Sequence, residues 1–177
     1  ASGYKSKIIE NYFKKSLKHL NIKVVNTGKK TMTGGRIKKL KKVLDNKRFL
    51  LTYGDGLCNV NIKNLVKFHE KNKNIVTLTA VRPPARFGGI KISKSKVKYF
   101  KEKSSLDEGW INGGFFVMEP EIFRFIKNDK TVLERYPLEK ICKLNKLGAY
   151  KHHKFWQCMD TIRDKQKLET LIKKNVF

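Results

Sequence analysis

Two apolar periods alternate along this chain. Lys5 to Leu17 carries Ile8, Ile9, Tyr12, Phe13 and Leu17 at helical spacing, which predicts an amphipathic helix. Asn21 to Asn26, with Ile22, Val24 and Val25, reads as a short strand, and Asn26-Thr27-Gly28 as a turn. Ile37, Leu40, Val43 and Leu44 then share one helical face, with Thr33 as a plausible cap. The amides at the start of that helix lie beside Gly34 and Gly35, an arrangement suited to an anion or a nucleotide, although capping alone accounts for Thr33. Phe49 to Thr52 is an uninterrupted apolar and β-favouring run, expected as a strand buried on both faces. Ile62, Leu65, Val66 and His69 form the next helical face, with His69 at its edge.

Ile75 to Val81 alternates as a strand ended by Arg82-Pro83-Pro84, and Phe87 to Ile92 with Lys96 to Phe100 reads as a hairpin around Ser93-Lys94-Ser95. Ile111 to Met118 is a further strand with two glycines near its start. Pro120 suits the first turn of a helix through Ile126, and Pro137 that of another running to about Leu147 and stopped by Gly148. Ala149 to Trp156 is expected to return to the sheet, and a last helix presents Ile162, Leu168, Leu171 and Ile172. Strands alternating with helices predict an α/β fold with a mainly parallel sheet covered by helices. No repeat, low-complexity segment or linker interrupts the pattern, so residues 1–177 read as a single domain.

The chemistry starts where the central strand runs into Tyr53-Gly54-Asp55-Gly56. The two glycines let the backbone turn sharply and leave room for a ligand. Asp55 is thereby expected at the carboxyl end of a strand, where open α/β sheets bind their ligands. A hard divalent cation holding phosphate oxygens is a natural partner for such a carboxylate. The alternative is a turn aspartate after an ordinary strand.

Charge adds less than its size suggests. The chain carries 41 Lys and Arg against 15 Asp and Glu, a formal net charge of +26. Only seven of these cations are arginine, the residue preferred for bidentate phosphate and base contacts, and the lysines are scattered over every expected element. The charge therefore reads as a lysine-biased solvated surface rather than a nucleic-acid footprint, with a phosphate-rich substrate as a second contributor. Cys58, Cys142 and Cys158 have neither zinc-ligand spacing nor the even count of a disulfide framework, which suits reduced thiols and a cytoplasmic setting. No apolar run approaches the roughly 20 residues that span a bilayer.

Four motifs carry a resemblance. Thr33-Gly34-Gly35-Arg36, Tyr53-Gly54-Asp55-Gly56, Ile111-Asn112-Gly113-Gly114-Phe115-Phe116 and Phe155-Trp156-Gln157-Cys158-Met159-Asp160-Thr161 resemble, in order and separation, the glucose-1-phosphate cytidylyltransferases among the sugar nucleotidyltransferases. Gly3-Tyr4-Lys5 with the helix after it is similar to a segment of the same family. The resemblance implies a Rossmann-like, GT-A-type α/β sheet covered by helices, homo-oligomers, and the products CDP-glucose and pyrophosphate from CTP and α-D-glucose 1-phosphate. Such products feed the dideoxy sugars of bacterial surface polysaccharide. It implies no specific nucleic-acid partner and no membrane insertion.

Asp55 and Asp160 match the family's two magnesium-binding aspartates, although Asp160 by itself also suits the cap of the last helix. Thr31, Arg36 and Gly54 match nucleotide-contacting positions. Glu102, Lys103, Asn112 and Gly113 match the surroundings of the sugar phosphate, with Lys103 steadying the phosphate. Each has a plainer reading: a surface charge for Arg36 and Lys103, a β-bulge for Gly113 and Gly114, core packing for Phe155 and Trp156. The resemblance implies in-line attack of a sugar-phosphate oxygen on the α-phosphorus of CTP without a covalent enzyme intermediate.

The chain also departs from the family. Family members open with a strand and a Gly-rich, Arg-containing loop around the triphosphate, followed by a Lys-Pro segment, and nothing here corresponds. Ser104 stands after Lys103, where the family usually has proline. The sheet is thus expected to be incomplete at its amino-terminal side, and the 177-residue chain by itself is expected not to turn over CTP efficiently. The rival readings are a uridylyl- or thymidylyltransferase of the same fold, a basic nucleic-acid-binding module, and a fragment with only a structural role.

Overall fold

A computed structural model describes residues 1–83, 89–101 and 109–174. The chain forms two compact units, residues 1–49, 74–76 and 118–147 in the first and 50–73, 77–117 and 148–177 in the second.

In the first unit, helix α1 (Ser6–Ser16) forms over the expected apolar period but buries none of its residues. The 21–26 segment is not a strand. It makes a single parallel bridge between Ser2 and Asn26, closed by Ser2 N to Val25 O and Thr27 N to Ser2 O, both at 2.8 Å. A ladder needs a partner at every second residue, and β-branched character without one leaves extended chain. Helix α2 (Thr33–Lys39) is shorter than its apolar pattern, which continues after a break in the four-residue helix α3 (Lys41–Leu44). A 3₁₀ turn follows Pro120 to Phe125, and helix α5 (its number allows for α4 in the second unit) spans Tyr136–Lys143. That helix stops at Leu144 rather than Leu147, because Asn145 takes up a left-handed φ of 53°. The core of this unit is Ile37, Phe49, Ile122, Ile126, Leu133, Leu138 and Ile141. Burying each such aliphatic side chain contributes about 1.5–3 kcal/mol.

The second unit holds helices α4 (Ile62–Asn72) and α6 (Ile162–Lys173) and the short strands β2 (Gly56–Cys58) and β8 (Trp156–Cys158). It also holds a hairpin of β4 (Gly89–Ser93) and β5 (Lys96–Lys101), antiparallel as expected. A four-stranded sheet runs in the order β1 (Phe49–Thr52), β6 (Ile111–Met118), β3 (Val76–Val81), β7 (Leu147–Lys151), and only one terminal residue of each strand belongs to the first unit. β1 is therefore an edge strand. Leu50 is 52% exposed, so the apolar run does not mark a strand buried on both faces. That environment belongs to β3 and β6, where even Thr77 and Thr79 are fully buried. His69 is not a face-edge residue either: it is buried, with Nδ1 2.8 Å from the Thr77 hydroxyl. Residues 149–156 do not form one strand. β7 ends at Lys151, and β8 pairs antiparallel with β2 in a separate two-stranded sheet. In α6 the buried apolar residue is Leu168, whereas Ile162 and Ile172 face solvent.

Candidate active site

The β2–β8 ladder brings the backbone of Asp55 alongside that of Met159, the neighbour of Asp160. Gly56 pairs with Cys158, Leu57 with Gln157 and Cys58 with Trp156, and beyond the Gly56–Cys158 pair Met159 N donates to Asp55 O at 2.8 Å. Asp55 is thus opposite Met159, and Asp160 is the next residue along, 105 positions away in the chain (160 − 55). Both are exposed. The Asp55 carboxylate makes no hydrogen bond or ion pair among the described residues.

Asp160 is not the helix cap. Thr161 caps α6, its hydroxyl accepting from Asp164 N at 3.1 Å while the Asp164 carboxylate accepts from Thr161 N at 3.1 Å, a reciprocal capping box. Asp164 also accepts from Asp160 N at 3.3 Å, which ties the backbone of Asp160 to the helix start. Its side chain receives the Cys158 thiol at Oδ2, 3.3 Å. Thr161-Ile162-Arg163-Asp164 is legible as a capping signal in the sequence, and Asp160 merely masks it.

The two glycines around Asp55 do different work. Gly54 does not adopt a left-handed φ, and a Cβ there would meet nothing within 4 Å, so no protein atom requires its lack of a side chain. Gly56 has only ordinary contacts, the Gly113 carbonyl at 3.7 Å being one. Gly113, by contrast, is fixed by packing: a Cβ would sit 2.8 Å from Val81 Cγ1 and 3.0 Å from Thr79 O. Its carbonyl accepts the Trp156 indole N–H at 2.8 Å, which pins β8 to β6 and gives Trp156 a structural task. Gly114 adopts φ +78°, a conformation that side chains resist. Asn112 is held by both ends of its amide, Nδ2 donating to Tyr53 Oη at 3.3 Å and Oδ1 accepting from Gly114 N at 2.9 Å.

The remaining residues are accounted for as follows. Glu102 and Lys103 lie outside the described residues. Thr31, in the first unit, is buried and donates its hydroxyl to Thr27 O at 2.6 Å. Arg36 is no loose surface charge, because Nη1 donates to Ser2 O at 3.0 Å and Thr27 Oγ1 at 2.7 Å, clasping the 2–27 segments. Two of the amides at the start of α2 are taken by the neighbouring 129–131 loop. Met32 N donates to Asp129 O at 2.8 Å and Gly35 N to Thr131 O at 3.2 Å. Gly34 and Gly35 let this loop approach, since a Cβ on Gly35 would lie 2.5 Å from Asp129 O. Thr33 contributes no cap bond; it donates to Glu134 and accepts from Leu133 N. Two surface cavities of about 420 and 410 Å³ in this unit contain none of the sequence-derived site residues.

Burial pushes the Cys58 thiol above its ordinary range, against a smaller opposing effect of its hydrogen bond with the Val60 backbone. Among the described residues no three His, Cys, Asp or Glu side chains gather to hold a metal. The sequence-derived candidate donors are the Asp55 and Asp160 carboxylates. That set suits magnesium, which binds through one or two carboxylates and completes its octahedron with phosphate oxygens and water.

The family described as nucleotidyl transferase matches residues 2–161. Glucose-1-phosphate cytidylyltransferase of Salmonella typhi is 39% identical, over 97% of this chain and 76% of its own length. A D-glycero-α-D-manno-heptose 1-phosphate guanylyltransferase of Aneurinibacillus thermoaerophilus is 32% identical over 70% of this chain and 54% of its own. Among solved structures, a UDP-glucose pyrophosphorylase complexed with UDP-glucose superposes with a TM-score of 0.69 at 16% identity, over 98% of this chain and 79% of that one, which establishes a shared Rossmann-like α/β fold. The chain belongs to the nucleotidyl transferase family.

Proposed function

We propose that this protein is a glucose-1-phosphate cytidylyltransferase, transferring CMP from CTP to α-D-glucose 1-phosphate with release of pyrophosphate. The observation that supports the reading is the backbone bond from Met159 N to Asp55 O, one residue from Asp160, together with the capping of α6 by Thr161 rather than by Asp160. The base and the sugar rest on the similarity to the Salmonella typhi enzyme.

In this reading Asp55 and Asp160 hold Mg²⁺, which when bound screens the repulsion between the two phosphate-bearing substrates. Gly54 leaves open space for the nucleotide. Asn112, its amide orientation fixed at both ends, hydrogen-bonds a sugar hydroxyl, and the Gly113 backbone lies beside it. Lys103 steadies the sugar phosphate and Glu102 contacts the sugar, while Thr31 and Arg36 keep only their resemblance to nucleotide-contacting positions. Catalysis then rests on positioning and electrostatics rather than on a covalent intermediate. A homo-oligomer is the assembly this reading carries.

The test is formation of CDP-glucose and pyrophosphate from CTP and α-D-glucose 1-phosphate, with UTP and dTTP as competitors, measured on the 177-residue chain, where slow turnover is expected, and on a chimaera carrying a relative's Gly-rich amino-terminal loop, in which the variants below are compared. Asp55→Asn and Asp160→Asn are each expected to lower the rate by on the order of 10²-fold or more at unchanged circular dichroism. EDTA is expected to abolish turnover and Mg²⁺ to restore it. Faster turnover of UTP or dTTP than of CTP would transfer the assignment to the sister activities. Full activity in both Asn variants would remove the metal site.

A further inference from the structure

Tyr53 joins the two halves of the site in the second unit. It lies between the edge strand β1 and Gly54-Asp55, and its backbone N–H donates to Gly114 O at 2.9 Å. Its ring stands edge-on to the buried Phe116 at 5.5 Å, and its hydroxyl reaches the Asn112 amide. The ring also occupies the space over Gly114: a Cβ there would lie 2.7 Å from Tyr53 Cδ2 and 3.2 Å from Cγ. The left-handed φ of Gly114 and its missing side chain are thus two conditions of one arrangement, in which Tyr53 is seated on the Asn112-Gly113-Gly114 turn.

An asparagine amide can flip, exchanging a donor group for an acceptor. Gly114 N, a donor only, decides which end of the Asn112 amide is oxygen, and the Tyr53 hydroxyl anchors the nitrogen end and so fixes the direction of the amide plane. One N–H and one lone pair are then left in fixed directions for a ligand that needs both. We propose that Tyr53 is a positioning residue for the sugar end of the substrate, anchoring the Asn112 amide from a place in the chain two residues before Asp55. The proposal rests on the reading of Asn112 as a sugar contact. It adds that selectivity for the hexose hydroxyls depends on a tyrosine that need not touch the sugar.

Tyr53→Phe keeps the ring, its packing on Phe116 and its seat on Gly114, and removes only the hydroxyl. Two measurements test it. The Asn112 side-chain amide resonances, assigned by nuclear magnetic resonance in the ligand-free protein, are expected to shift and their proton exchange to quicken in the variant. By calorimetry with Mg²⁺ present, affinity for CDP-glucose is expected to fall about two- to tenfold, the range for loss of one uncharged hydrogen bond, while affinity for CDP is unchanged. Unaltered Asn112 resonances, or equal losses for CDP-glucose and CDP, would overturn the positioning role. If the wild-type protein binds neither compound, the cytidylyltransferase reading fails, whereas the resonance experiment still decides whether Tyr53 sets Asn112.

Discussion

Two threonines two residues apart on β3 show how much a single hydroxyl depends on its neighbours. Thr77 and Thr79 are both fully buried. The Thr77 hydroxyl lies 2.8 Å from His69 Nδ1, whereas Thr79 Oγ1 has no hydrogen-bond partner among the described residues. Thr77→Val leaves a polar ring nitrogen of buried His69 short of a partner and is expected to destabilise the protein by about 1–3 kcal/mol. Thr79→Val replaces an unpaired buried hydroxyl with a methyl of similar shape and is expected to be neutral or mildly stabilising. Chemical denaturation of the two variants checks the contrast, and a larger loss at Thr79 would show that its hydroxyl is paired in solution. The same scale explains why the glycines could not be sorted by sequence. Gly54 and Gly113 sit in similar motifs, yet only Gly113 is required by its protein neighbours.

At the scale of elements, the start of α6 decides how Asp160 is presented. Thr161 and Asp164 satisfy each other's backbone groups, and Asp164 reaches back to Asp160 N. Thr161→Ala is expected to cost about 1 kcal/mol of stability, measurable as a lower denaturation midpoint, the usual loss for an N-cap hydroxyl. If Asp160 were the cap, that substitution would cost nothing and Asp160→Ala would carry the loss. The periodic helices α1, α4 and α6 were legible because three or more apolar residues recur at 3.6-residue spacing in each. The strand at Phe49–Thr52 was legible at its observed bounds but its edge position was not, and the 21–26 segment was misread, since β-favouring composition is the same for a central strand, an edge strand and unpaired extended chain; pairing partners separate them. The short strands β2 and β8 have three residues each, too few for any period to show.

For the whole molecule, a net charge of +26 predicts association with heparin or DNA at low salt, with affinity falling steeply as salt rises. Because that attraction is to the surface field, Asp55→Asn is expected to leave it unchanged or slightly strengthened in a salt-titrated binding assay. A marked loss would instead tie polyanion binding to the candidate active site. The sequence by itself determined the alternation of helix and strand, the four ordered motifs and the acids they carry, because each is written in local spacing and side-chain type. Tertiary structure decided the rest. It made the Phe49 run an edge strand, spent the Gly34-Gly35 pair on the 129–131 loop, and gave the helix cap to Thr161. It also laid Asp55 beside Met159-Asp160 through a three-residue ladder. Each of these depends on which backbone lies alongside which, and residues more than a hundred positions apart leave no mark of that pairing in their local sequence.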